Sequence, residues 1–214
     1  MSTRKALLSI ICILAFAGVL FAQECTSIIS DALKRWEDIK DYSCQLYTYN
    51  RAGKEEDERV YEYKFMKPNY VYMKVLKGKS KGAKVFYDPN KNKVKGCKKV
   101  LFTVCRTFDP SAKKVTSIRG VKVYETSFGY ILNTAKAYLE KGKPCRVYKE
   151  GDYTVVELKT DTPIFQDIVK EKLFFDSTGF PVKWERYAKD GLVYKLVCTN
   201  VKINSGLTLE DFKP

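Results

Sequence analysis

Residues 64–90, KFMKPNYVYMKVLKGKSKGAKVFYDPN, decide the fold. Across residues 69–76, Val71, Met73 and Val75 alternate with Tyr70, Tyr72 and Lys74. A period of two belongs to a β-strand with one face turned to a core. Pro68 separates this run from residues 59–66, where Tyr61, Tyr63 and Phe65 share one face and Glu62 and Lys64 the other. The segment KGKSKG leads into a third run, AKVFYD, which carries Phe86, and DPNKN closes it as a turn. Alternating runs joined by short polar turns predict an antiparallel meander, not strand–helix–strand units.

The same pattern extends outward. Residues 43–50 form a strand before the polar turn AGKEEDE. Further strands are expected at residues 93–97, 99–107, 145–149, 153–159, 168–176, 181–188 and 192–203, with Asp190-Gly191 marking the last hairpin. Two segments carry helical spacing instead. In TSIISDALKRWEDIKDY the stripe is Ile29, Leu33 and Trp36, widened by Ile28, Ala32 and Ile39, with Thr26 or Ser27 as cap. In residues 128–141 it is Ile131, Leu132, Ala135, Tyr138 and Leu139, with Ser127 as cap and Gly142 and Pro144 beyond the end. The ending SGLTLEDFKP is expected across the sheet edge. The expectation is an α+β fold: a large antiparallel sheet of about nine to eleven strands, wide enough that it must curl, close or be covered, with amphipathic helices over one face of the curled sheet. Residues 23–214 form a single domain in this reading.

The N-terminus sets the compartment. MSTRKALLSIICILAFAGVLFA places Arg4 and Lys5 before an apolar run that ends at Ala22, the layout of a signal peptide cleaved near Ala22. Cys25 follows Ala22, Gln23 and Glu24 rather than small residues, so a lipoprotein anchor does not fit. The expected outcome is export. Beyond the signal stand Cys25, Cys44, Cys97, Cys105, Cys145 and Cys198, an even set in an exported chain and therefore disulfide candidates. Cys97 and Cys105 flank a hairpin and are the one local pairing predicted.

Composition limits the chemistry. The chain has no histidine, which excludes Ser-His-Asp and Cys-His hydrolysis. It has no CxxC pair for zinc and no phosphate-cradling glycine loop. Glu55, Glu56, Asp57 and Glu58 read as a solvated turn, and the loop around TDTPIFQD, from Asp161 to Asp167, as a neighbour of a cavity mouth. No enzyme, metal or cofactor is expected. A formal charge of +14 favours anionic partners. Export and the lack of an RNP-like segment argue against nucleic acid. The remaining reading is an apolar ligand held on the concave side of the sheet. The residues expected to line that cavity are Trp36, Tyr61, Tyr63, Phe65, Val71, Met73, Val75, Phe86 and Trp184.

The order of FMKPNYVYMKV, KGAKVFYDPNKNKVKG, GYILNTAKAYLEKG, EKLFFDSTGFPVKWERYAKDGLVYKL and VKINSGLTLEDFKP resembles LolA-type outer-membrane lipoprotein-sorting proteins and related exported proteins. The resemblance implies an unclosed barrel capped by helices around a hydrophobic cavity. It also implies a monomeric periplasmic carrier of lipidated protein or lipid, moving cargo from an inner-membrane donor to an outer-membrane acceptor. The alternative is an envelope sensor or protein-interaction module on the same fold, without transport. In that family an arginine before a proline helps hold the lid shut. Here Lys67 stands before Pro68, keeping the charge without the planar fork.

Overall fold

The computed structural model describes residues 23–99, 101–163 and 165–213, so the signal-peptide reading of residues 1–22 lies outside the described residues. Helix α1 occupies residues 23–37 and α2 occupies Phe128–Glu140. The strands are β1 (Asp41–Ala52), β2 (Glu55–Met66), β3 (Tyr70–Gly78), β4 (Lys84–Asp88), β5 (Lys93–Lys99), β6 (Thr103–Phe108), β7 (Cys145–Glu150), β8 (Tyr153–Lys159), β9 (Lys170–Phe175), β10 (Pro181–Ala188) and β11 (Gly191–Ile203). They form one 11-stranded sheet in the order β6-β5-β4-β3-β2-β1-β11-β10-β9-β8-β7. Every described pairing is antiparallel, and the sheet stays open with β6 and β7 as its edges. The meander expected from sequence is present twice, once on each side of the central β1–β11 pair.

Period-two alternation sorts the side chains. Tyr63, Phe65, Val71, Met73, Leu173 and Trp184 turn to the inner face and join one buried cluster with the apolar stripes of both helices. Tyr70 and Tyr72 turn outward. About eleven strands at roughly 4.8 Å spacing would make a flat sheet far wider than two helices can cover, so the sheet must curve around them.

The helices meet the sheet through an aromatic stack. Tyr42 lies parallel to Phe128 at 4.4 Å and stacks on Phe65 at 5.2 Å, while Trp36 tilts against Phe65 at 5.1 Å. The Tyr42 hydroxyl accepts the Phe128 N–H at 3.2 Å, satisfying a donor at the start of α2. The Ser127 side chain caps α2 as expected, accepting from the Tyr130 N–H at 3.2 Å. Gly129 lets the helices touch: a Cβ there would lie 2.6 Å from the Trp36 ring. Cys25 bonds Cys145 across 120 residues and ties α1 to the β7 edge, and Cys97 bonds Cys105 across the β5–β6 pair.

Four expectations are corrected. Helix α1 is already formed at residue 23, so Thr26 and Ser27 lie inside it, and it ends at residue 37, leaving Asp41 and Tyr42 to β1. The turn in AGKEEDE is confined to Gly53 and Lys54; Glu55 to Glu58 continue β2, paired with Ala52 to Tyr49. Strand β6 begins at Thr103, because residues 101 and 102 make the hairpin tip. Finally, the ending crosses the outer face, not the edge. Phe212 packs 6.3 Å from Tyr70 and 6.1 Å from Phe86, and Lys64 Nζ donates to the Asp211 carbonyl at 3.3 Å. The Asp41 carboxylate anchors that ending by accepting the Ser205 and Gly206 N–H groups at 2.8 and 3.2 Å.

Candidate functional site

Beneath the helices the inner face is filled. Tyr63, Phe65, Val71 and Trp184 are buried in the core cluster, with Trp36 packed against it. The open space lies beside the helices, where strands β1 to β6 are roofed by the connection between β6 and α2, so the expected cavity between sheet and helices is displaced. Its volume is about 330 Å³, and it is partly open to solvent.

The floor comes from alternating strand positions: Tyr61 of β2, Met73 and Val75 of β3, Val85 of β4. The far wall is Val104 and Phe108 of β6. The roof is Val115, Val121 and Val123. Gly96 on β5 permits the roof to close down, since a Cβ there would meet Phe108 at 3.3 Å and Val115 at 3.9 Å. Of the nine lining residues expected from sequence, Tyr61, Met73 and Val75 line this space. Phe86 faces the outer side of the sheet, against Tyr70 and Phe212.

The roof is held by Arg119, which no sequence pattern marks. Its guanidinium donates to the Arg51 carbonyl at 3.0 Å and pairs with Asp167, and its own carbonyl accepts from Gln166 at 3.3 Å. Ser117 Oγ accepts the Arg119 and Val121 N–H groups, both at 3.2 Å, shaping the turn. The loop carrying Asp167 was expected near a cavity mouth. Through Arg119 it braces the roof.

Charge is distributed unevenly around the opening. Arg59, Lys84, Lys98, Arg106, Lys114 and Lys122 line it, against Asp57 as the one acid. Asp57 is paired with Arg59 at 2.9 Å, and Lys122 with Glu125 at 3.9 Å. Lys84, Lys98, Arg106 and Lys114 have no carboxylate partner among the described residues. A low-dielectric wall beside uncompensated cations concentrates anions. Next to this rim the β5–β6 hairpin exposes Leu101 and Phe102, 89% and 71% accessible.

Lys67 sits away from the cavity, at the end of α1. Its Nζ donates to the Trp36 and Glu37 carbonyls, both at 2.7 Å, and lies 5.3 Å from the Trp36 ring centre. These carbonyls are the unsatisfied, negative end of the helix. A lysine therefore reaches two carbonyls from one point charge, without a planar fork. Among the described residues no cluster of three His, Cys, Asp or Glu could hold a metal.

No protein-family model matches the chain, and no curated protein matches it in sequence. Solved structures resemble it in chain path. A LolA-superfamily protein from Nitrosomonas europaea shares 14% identity at a TM-score of 0.42, covering 91% of this chain and 98% of that one. The Mycobacterium tuberculosis lipoprotein LppX shares 8% at 0.47, covering 87% and 98%. A DUF1329 family protein from Desulfovibrio piger shares 10% at 0.46, covering 90% and 97%.

Proposed function

We propose that this protein binds a single-chain amphiphile, free or attached to a protein, in the cavity beside its helices, and carries it within the cell envelope. The observation behind this reading is the pairing of a partly open, valine- and aromatic-walled space of about 330 Å³ with cations that have no carboxylate partner among the described residues. That volume is at the small end of the roughly 300–1,000 Å³ typical of ligand sites, room for one short chain. Each methylene buried contributes about 0.8 kcal/mol, so a chain alone supplies useful affinity. The exposed Leu101 and Phe102, flanked by Lys98 and Lys99, fit the same reading. An apolar tip beside a pair of cations suits the surface of an anionic bilayer, where it would bring the opening to the source of its ligand.

The test is native mass spectrometry of protein purified from the periplasm, followed by titration of the delipidated protein with dodecanoate. Retained acyl-bearing species and saturable uptake are expected. A protein that carries no such species and takes up no dodecanoate overturns the reading.

A further inference from the structure

Strand β5 turns Val94, Gly96 and Lys98 to the inner face, since Val94 is buried in the core cluster and side chains alternate along a strand. Their register partners on β6 are Phe108, Arg106 and Val104. Gly96 has no side chain, and the roof closes over it: a Cβ there would lie 3.9 Å from Val115 Cγ1. Three cations surround this bare position. Arg106 is opposite it, Lys98 is the next inward residue along β5, and Lys114 directly precedes Val115. Lys98 and Arg106 are diagonal neighbours on one face, roughly 7–8 Å apart at the backbone, so their long side chains can reach one small group. The Cys97–Cys105 bond fixes the register between them.

All three residues line the cavity and are exposed, and their side chains make no hydrogen bond or ion pair among the described residues. Arg59 and Lys122 differ, being held by Asp57 and Glu125. The apolar wall starts at the same place, with Val104 opposite Lys98 and Phe108 two residues beyond Arg106. Like charges this close repel, so a cluster without a counterion gains by taking an anion. A carboxylate supplies one charge and two oxygens. A phosphate monoester supplies close to two charges near pH 7 and three acceptor oxygens. That is enough for one guanidinium to bond in bidentate fashion while two ammonium groups share the rest.

We propose that Lys98, Arg106 and Lys114 form a phosphate seat at the cavity mouth, and that the ligand is an amphiphile headed by a phosphate monoester. Its chain then follows the wall from Val104 and Phe108 toward Met73 and Val75. This inference rests on the cavity being an amphiphile site and adds the chemistry of the headgroup.

The experiment titrates the delipidated full chain with dodecyl phosphate, dodecanoate and inorganic phosphate by calorimetry at pH 8 and low salt. Dodecyl phosphate is expected to bind about tenfold more tightly than dodecanoate, the gain of one further charge-assisted hydrogen bond at an exposed rim. Inorganic phosphate should bind at least about a hundredfold more weakly than dodecyl phosphate, because the chain supplies most of the affinity. The Lys98→Gln/Arg106→Gln double variant should bring the two chain-bearing probes within about twofold of each other. Lys34→Gln/Lys136→Gln, which removes the same charge from exposed positions on the helices, should keep the preference. Lys114→Gln, outside the sheet, should lower the preference about threefold and decides the matter if the strand variant folds poorly. Equal affinity for dodecyl phosphate and dodecanoate in the wild type, or a preference that survives all the rim substitutions, overturns the seat while leaving the cavity reading standing. Inorganic phosphate binding as tightly as dodecyl phosphate reveals a site for the free ion and overturns the headgroup assignment. Binding of neither chain-bearing probe overturns both readings.

Discussion

Lys67 shows how much one side chain can hold. Its two bonds to the α1 carbonyls are made by a cation packed over Trp36, so Lys67→Ala leaves the helix end without its neutralising charge. We expect that substitution to lower stability by about 1–2 kcal/mol in urea unfolding, and Lys67→Arg to retain most of it. The residue and its proline were visible in the sequence; the carbonyls it serves, 30 and 31 positions away, were not. Cys44 and Cys198 make a second case. Both are buried as thiols with their sulfurs 2.8 Å apart, on neighbouring strands of the sheet centre. Burial, with the Cys198 hydrogen bond, pushes the Cys44 thiol well above its ordinary pKa, so it stays protonated and inert. A thiol reagent should therefore find neither group in the folded protein and both after unfolding without reductant. Rapid labelling of the native protein would contradict the buried placement.

At the scale of the element, the β5–β6 hairpin and the β7–β8 pair make different demands. The hairpin is cross-linked by Cys97–Cys105 and projects Leu101 and Phe102 into solvent, so its tip contributes little to the core. Replacing both by serine should leave the melting temperature nearly unchanged and reduce co-sedimentation with phosphatidylglycerol vesicles several-fold; phosphatidylcholine vesicles should bind weakly throughout. On β8, Glu157 is buried, which by itself would raise its pKa, yet hydrogen bonds from Arg146 and Lys159 outweigh that and hold it below the usual carboxylate range. A folded-state pKa below the unfolded one stabilises the protein above the unfolded value, and that contribution disappears as pH falls through the folded value. Acid unfolding should therefore steepen below about pH 4.3, the unfolded glutamate value, and Glu157→Gln should flatten that limb. The strands themselves were legible in sequence because alternation is local. Their ends were less so. The acidic run at Glu55 to Glu58 looks like a solvated turn until its pairing with Tyr49 to Ala52 is seen, since cross-strand partners outweigh low β-propensity.

For the whole molecule, the decisive feature is that the void and the helices occupy different parts of the same concave face. Filling the void should separate binding from stability. Val75→Phe places a ring in the space beside Met73 and Val85, and we expect it to abolish dodecanoate uptake while shifting the melting temperature by only a few degrees. A loss of uptake accompanied by unfolding would show instead that the wall is already packed. The sequence by itself determined that the chain is a long antiparallel meander with two covering helices, because period two and period 3.6 are written in neighbours a few residues apart. It also determined the helix cap at Ser127, the Cys97–Cys105 bond and the surplus of positive charge, which are equally local or additive. Only the tertiary structure decided where the cavity lies, that Arg119 and Asp167 hold its roof, and that Phe86 turns outward. The physical reason is that a void is what packing leaves over. It depends on how the irregular chain between β6 and α2 folds back over strands far from it in sequence, and no periodicity records that path.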